Sequence, residues 1–156
     1  MTTRKLTLAD IADVRAYERE RSEFRTHVIA VKQRRRIALG TLVTVVFENR
    51  DTMRFQVQEI ARAEQRVTDE SIQEELDVYN PMIPDPGQLC VTMFIELTTD
   101  AQLRAWLPKL VDVQHHVVLR LPDGCEVRAT TDARHESQLT REHVTAAVHF
   151  VSPSVT

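Results

Sequence analysis

The spacing of apolar residues changes several times along the chain, and each change predicts an element. Thr7-Leu-Ala-Asp10 has the form of a helix-opening capping box with Asp in the usual Glu place. Leu8, Ile11, Val14 and Tyr17 then recur at helical spacing, and a second stripe of Phe24, Val28 and Val31 runs on through Lys32-Gln-Arg-Arg-Arg36 to Gly40. This predicts two helices, or one bent near Ser22, closed by cations in the last turn and a Gly cap. Leu42 to Phe47 is β-branched and apolar, hence a strand. From Asp51 as N-cap, Met53, Val57, Ile60 and Ala61 return to helical spacing. A hairpin through Met53, Phe55 and Val57 is the alternative there, and the length to Glu64 favours the helix.

A short helix is expected from Asp69 to Tyr79, stopped by the three prolines of Asn80-Pro-Met-Ile-Pro-Asp-Pro-Gly87. Leu89, Val91, Met93, Ile95 and Leu97 alternate with their neighbours in the clearest strand of the chain. Asp100 is the expected cap of a helix that Pro108 shortens or kinks. His116–Leu121 and Glu126–Thr130 flank Asp123-Gly124 as a hairpin, and a polar link from Ala133 to Glu142 leads to a last strand, Val144 to Val151. The expected class is α+β: N-terminal helices, then a mostly antiparallel sheet of about five strands with inserted helices. The expected organisation is a single domain over 1–156, with a helical front (1–40), a mixed body (41–151) and a tail (152–156).

Charge divides the chain in the same place. Residues up to Gly40 hold ten Lys/Arg against five Asp/Glu, and the remainder ten against eighteen, so a basic front precedes an acidic body within a net charge of −3. This asymmetry predicts internal pairing or a partner that reads one part. Hydrophobic and charged fractions of 42% and 28% are those of a soluble globule. No run reaches the roughly 18 apolar residues of a membrane helix, and the N-terminus lacks a signal-peptide core. A cytoplasmic protein is therefore expected, away from membranes.

The usual chemical motifs are missing. There is no Gly-x-Gly-x-x-Gly, Gly-Lys-Ser/Thr, Gly-x-Ser-x-Gly or His-Glu-x-x-His, and no cofactor is expected. Cys90 and Cys125 sit in apolar runs and read as buried, reduced thiols. His115 and His116 would face opposite ways on a strand. A site from His135, His143 and His149 is conceivable, but surface histidines are the stronger reading, and no metal is expected. Lys32, Arg34, Arg35 and Arg36 have no interleaved aromatic residues, so they suit a solvated helix end or a protein surface better than nucleic acid.

The densest candidate chemistry follows Phe47. Glu48, Asn49, Arg50, Asp51, Arg54, Gln58 and Glu59 lie within a dozen residues, and the next helix adds Asp77, Tyr79 and Asn80. Arg54 stands three residues after Asp51 and can pair with it on a helix. Glu48 to Asp77 holds nine acidic residues and four arginines. Such a set can bind a cation or a partner, or do acid–base work; it can equally be a cap and an ion-paired helix surface.

The series Tyr17-Glu-Arg19, Val28-Ile-Ala-Val-Lys32, Arg34-Arg-Arg-Ile-Ala-Leu-Gly40, Phe47-Glu-Asn-Arg-Asp-Thr-Met-Arg-Phe-Gln56, Glu74-Glu-Leu-Asp-Val-Tyr-Asn80 and Pro86-Gly87 resembles an uncharacterised bacterial family, domain of unknown function 3501. The likeness spans Leu6 to about Glu96 and weakens afterwards. The resemblance implies no activity and no catalytic residues. It implies, through gene neighbours of the rubrerythrin-like and iron–sulfur, flavin-linked kinds, an association with oxidoreductases. The first expectation is thus an accessory protein that docks on an oxidoreductase, with a homo-oligomer also allowed. The second is a small metal- or ligand-binding enzyme, in which Glu48, Asp51, Glu59 and Asp77 supply carboxylates and Arg54 and Tyr79 orient an anion.

Overall fold

In the computed structural model, the backbone of residues 4–131 and 145–151 is described, with side chains as far as Thr130. The chain forms two compact units and crosses between them three times. One unit comprises residues up to Arg35 and Glu48–Pro86; the other comprises Arg36–Phe47 and the residues from Gly87 onward.

The first unit is helical. A 3₁₀ turn, Leu8–Asp10, precedes α1 (Val14–Arg35), and α2 (Arg50–Ala63), α3 (Asp69–Tyr79) and a second 3₁₀ turn (Asn80–Met82) follow. Its buried apolar side chains are Leu6, Tyr17, Val28, Val31, Met53, Val57, Ala61, Leu76, Met82 and Ile83. Met53, Val57 and Ala61 recur every fourth residue on α2, which presents one continuous stripe. The helix expected from Leu8 does not form in one piece. Asp13 accepts a hydrogen bond from the Ala16 N–H at 2.8 Å and starts α1 there, while Ile11 is extended and Ala12 lies outside the helix for reasons given below.

The second unit is built on antiparallel pairing. Strands β1 (Arg36–Leu39), β2 (Val43–Phe47), β3 (Gln88–Ile95), β6 (Thr130–Thr131) and β7 (Thr145–Val151) form one sheet in the order β1-β2-β3-β7-β6. Strands β4 (Val118–Arg120) and β5 (Glu126–Arg128) form a separate hairpin. Period-2 alternation places Val43, Val45 and Phe47 on one face, with Val45 opposite Met93 and Phe47 opposite Val91. This face packs with Ala129, Val113, Val117 and Leu119. Helix α4 (Asp100–Trp106) passes into a 3₁₀ turn at Leu107–Lys109, the break expected at Pro108.

The α+β class and the elements at β2, β3, α2, α3 and the β4–β5 hairpin match expectation. Five details differ. Arg36–Leu39 is a strand, because it pairs with β2 in register from Arg36–Val46 to Leu39–Val43. Gly40 therefore serves the hairpin turn, at φ 70°, and not a helix cap. The caps of α2 and α4 are Asn49 and Thr99, whose side chains accept the N3 N–H, so Asp51 and Asp100 lie inside the first turns. His115 and His116 end a 3₁₀ turn and are not in a strand. Cys90 is buried as expected, but Cys125 is exposed beside the Asp123-Gly124 turn. His135, His143, the 133–142 link and the tail lie outside the described residues, and of His149 only the backbone is described.

Leu76 is fully buried in the helical unit. Leu76→Ala is expected to destabilise that unit by about 2–5 kcal/mol, read as a lowered urea midpoint; an unchanged midpoint would contradict this packing.

Candidate functional site

Residues 4–13 contain little regular structure, so their backbone groups need other partners. Two side-chain amides supply them. Asn80 accepts the Leu6 N–H at 2.8 Å and donates to the Leu6 carbonyl at 2.9 Å. Gln58, 1% exposed, accepts the Ala12 N–H at 2.7 Å and donates to the Ala12 carbonyl at 3.1 Å. Each amide pairs with a peptide as a neighbouring strand would, which keeps Ala12 out of the helix that the apolar spacing predicts. Arg50 Nε donates to the Arg4 carbonyl at 3.1 Å, Arg54 Nε to the Asp10 carbonyl at 2.8 Å, and Lys5 donates to the Ile83 carbonyl.

Carboxylates complete the clamp. Asp10 accepts from the Thr7 N–H and hydroxyl at 2.8 and 2.9 Å, pairs with Arg4, and lies 2.8 Å from Arg50 Nη2. Burial opposes its charge, but the Thr7 N–H, the two arginines and the Thr7 hydroxyl outweigh it and hold the carboxyl well below the usual range. Glu59 accepts from the Tyr17 hydroxyl at 2.7 Å and from Arg21 at 2.8 and 3.1 Å. The Arg21 hydrogen bonds depress its pKa, against some burial, with Tyr17 assisting. Burial, together with the Glu59 hydrogen bond, pushes the Tyr17 phenol up.

The remaining candidates have separate partners. Glu48 is 4% exposed and accepts from the Thr52 hydroxyl, which also receives the Asn49 N–H at 2.9 Å. Asn49 Oδ1 accepts the Thr52 N–H at 3.0 Å. The expected Asp51–Arg54 pair is absent: Asp51 meets His27 at 2.9 Å, and Arg54 meets Glu20 at 2.6 Å while covering the Phe24 ring at 4.7 Å. Asp77 is exposed and accepts from Gln73 at 2.9 Å. Tyr79 is hydrogen-bonded to Gln56, and burial raises its pKa. Lys32 lies over the Phe55 ring at 5.9 Å; Arg36 lies over Phe94 at 5.8 Å in the other unit. Arg34 is exposed and Arg35 half-buried. Glu48, Asp51, Glu59 and Asp77 thus serve four different local contacts. Among the described residues no group of three or more His, Cys, Asp or Glu could hold a metal ion.

Beside the clamp lies a cleft of about 400 Å³, which spacing alone did not reveal. Leu8, Ile11, Val14, Tyr17, Gln58, Ala61, Val67 and Ile72 line it. Arg15, Arg62 and Arg66 line it with Asp13 and Asp69. Leu8 and Val14 were legible only as members of an apolar stripe. Val67, 74% exposed in a loop, belongs to no stripe.

The sequence profile described as "Protein of unknown function (DUF3501)" matches residues 5–156. A crystal structure of a protein of unknown function from Burkholderia pseudomallei is similar to the chain, with 31% identity and a TM-score of 0.87 over 97% of this chain and 79% of that one. No curated protein matches.

Glu59 and Asp10 have depressed native pKa values, so the unfolded chain binds their protons first as pH falls. Their stabilisation is present above the ordinary values of 4.5 and 3.8 and is lost on descent through the lower native ones. Urea midpoints should fall on acidification below about 4.5, and Glu59→Gln should show a shallower fall; equal slopes would contradict the assignment. Gln58→Leu removes the partner of two part-buried peptide groups and is expected to cost up to about 1–3 kcal/mol for each group left unsatisfied. A loss no greater than that of an exposed substitution such as Gln73→Leu would remove Gln58 from the clamp.

Proposed function

The chain belongs to the DUF3501 family, and within it we propose that this protein is an accessory protein of the cytoplasm, which works by binding a protein partner and not by transforming a substrate. One observation carries the reading. The polar groups that resemble a reaction site are engaged in structural contacts, four of them with the backbone of residues 4–12, whereas the cleft beside them exposes apolar side chains. Leu8, Val14 and Val67 are three of the ten large apolar side chains exposed among the described residues, and all three line this cleft. Apolar side chains gathered around a concave surface favour a docking surface over a solvated one.

The cations at the end of α1 offer a second contact. Lys32, Arg34 and Arg35 lie in its last turn, where they complement the helix dipole and can also meet an acidic partner. An oxidoreductase is the partner class that the family resemblance implies, and it is the first to test. No described helix is long and apolar enough to cross a membrane.

Anaerobic affinity purification of the tagged chain from its own host, with bound proteins and metals read on one sample, tests the proposal. The expected result is a stoichiometric oxidoreductase whose capture drops at least fivefold with the charge reversals Arg34→Glu and Arg35→Glu. A chain that emerges alone and carries a metal or small molecule would overturn the accessory reading and return the carboxylates of α2 to consideration.

A further inference from the structure

We propose that the side chains that clamp residues 4–12 form a peptide-binding groove, occupied in cis by the chain's own N-terminal segment and open to a segment of another protein that carries the same chemistry. The inference goes beyond docking at the cleft and does not rest on it. The segment is held as a bound peptide is held. Among the described residues its backbone-to-backbone hydrogen bonds are internal, from the Asp10 N–H to Thr7 and from the Ile11 N–H to Leu8. Its hydrogen bonds to the rest of the helical unit all pass through a side chain: Asn80, Gln58, Arg50 and Arg54 on one side, Lys5 and Asp10 on the other. Such pairing reads the main chain and leaves selectivity to a few side chains.

The groove is organised by contacts that do not involve its occupant. Arg54 is held by Glu20 at 2.6 Å and by the Phe24 ring at 4.7 Å. Gln58 stands on α2 and Asn80 closes α3, and the fully buried Val57 and Leu76 fix these two helices in the core. Receiving groups already in place lower the cost of binding. Asp13 accepts the Ala16 N–H by itself, so the segment can part from α1 at Ala12 without unwinding the helix.

The present occupant defines the chemistry of a replacement. Leu6, 3% exposed, is the apolar anchor, and Asn80 reads its peptide group while Gln58 reads that of Ala12. Asp10 folds the stretch between them by accepting from the Thr7 N–H and hydroxyl, and lies 2.8 Å from Arg50 Nη2. Lys5 lies 3.4 Å from Asp85. A fitting segment therefore reads Lys, Leu, Ser or Thr, two free positions, then Asp. It competes with a tethered rival whose effective concentration is on the order of millimolar. The chain's own segment thus keeps the groove closed, and weakening that segment opens it.

Fluorescence anisotropy with a labelled synthetic peptide of residues 4–13 tests this on the full chain. The chain carrying Leu6→Ala and Asp10→Ala, which weaken its own segment and leave the groove intact, should bind the peptide at least tenfold more tightly than the unaltered chain. Adding Asn80→Leu should undo that gain, and a peptide with Ala at the positions of Leu6 and Asp10 should not bind. Circular dichroism checks the helix content of each chain. A folded Leu6→Ala, Asp10→Ala chain that binds no better than the unaltered one, or that binds equally well with Asn80→Leu, would overturn the groove. Should that variant fail to fold, the unaltered chain decides. Peptide in millimolar excess should speed amide exchange at the chain's own Leu6 and Ala12, because it displaces them from Asn80 and Gln58; unchanged exchange would overturn the proposal. The accessory reading fails separately, since capture of a host partner through Arg34 and Arg35 is read without this peptide.

Discussion

Gln58 and Asn80 each meet a peptide group of the N-terminal segment with both halves of a side-chain amide, at Ala12 and Leu6. Leu6 and Ala12 lie outside the 3₁₀ turn and α1, and would otherwise leave these groups unpaired next to a buried surface. Much else in the helical unit follows from the two pairings. The Gln58 pairing holds Ala12 outside α1, which begins at Val14. Together the pairings place Leu6 in the core and leave Leu8, Ile11 and Val14 lining the cleft. Arg50 and Arg54 extend the same arrangement from α2 to the carbonyls of Arg4 and Asp10.

The crowding of polar residues after Phe47 thereby acquires a structural cause. Four of the ten candidates, Arg50, Arg54, Gln58 and Asn80, bond directly to the backbone of residues 4–12. Glu48 and Asn49 build the start of α2 through Thr52. Glu59 ties α2 to α1 through Tyr17 and Arg21. A basic front and an acidic body do pair, at Arg21–Glu59 for example, but Arg54–Glu20 and Arg62–Glu18 run the other way. Charge asymmetry along the sequence is thus only part of the pairing logic.

Elements with one strong period were legible: α2 through Met53, Val57 and Ala61, and β3 through its alternation. β1 was not, because Arg36-Ile-Ala-Leu39 suits a helix end as well as a strand, and only pairing with β2 decides between them. Asp51 looked like a cap because Asp is a good one, yet Asn49 lies two residues earlier and its side chain reaches the Thr52 N–H. The residues of the polar corner were all visible, but not their use. Arg50, Arg54, Gln58, Glu59 and Asn80 find partners 34 to 74 positions away, beyond any local pattern. The cleft was invisible for the same reason, since its walls come from residues 8–17 and 58–72.

Side-chain amides hold residues 4–13 as part of the folded unit. Amide hydrogen exchange at Leu6 and Ala12 measures it, since both N–H groups donate to those amides. Exchange as slow as in the interior of α2 is the predicted result. Exchange at the rate of an unstructured peptide, with α1 and α2 still protected, would mean that the amides do not hold the segment, and would dissolve one side of the cleft with it.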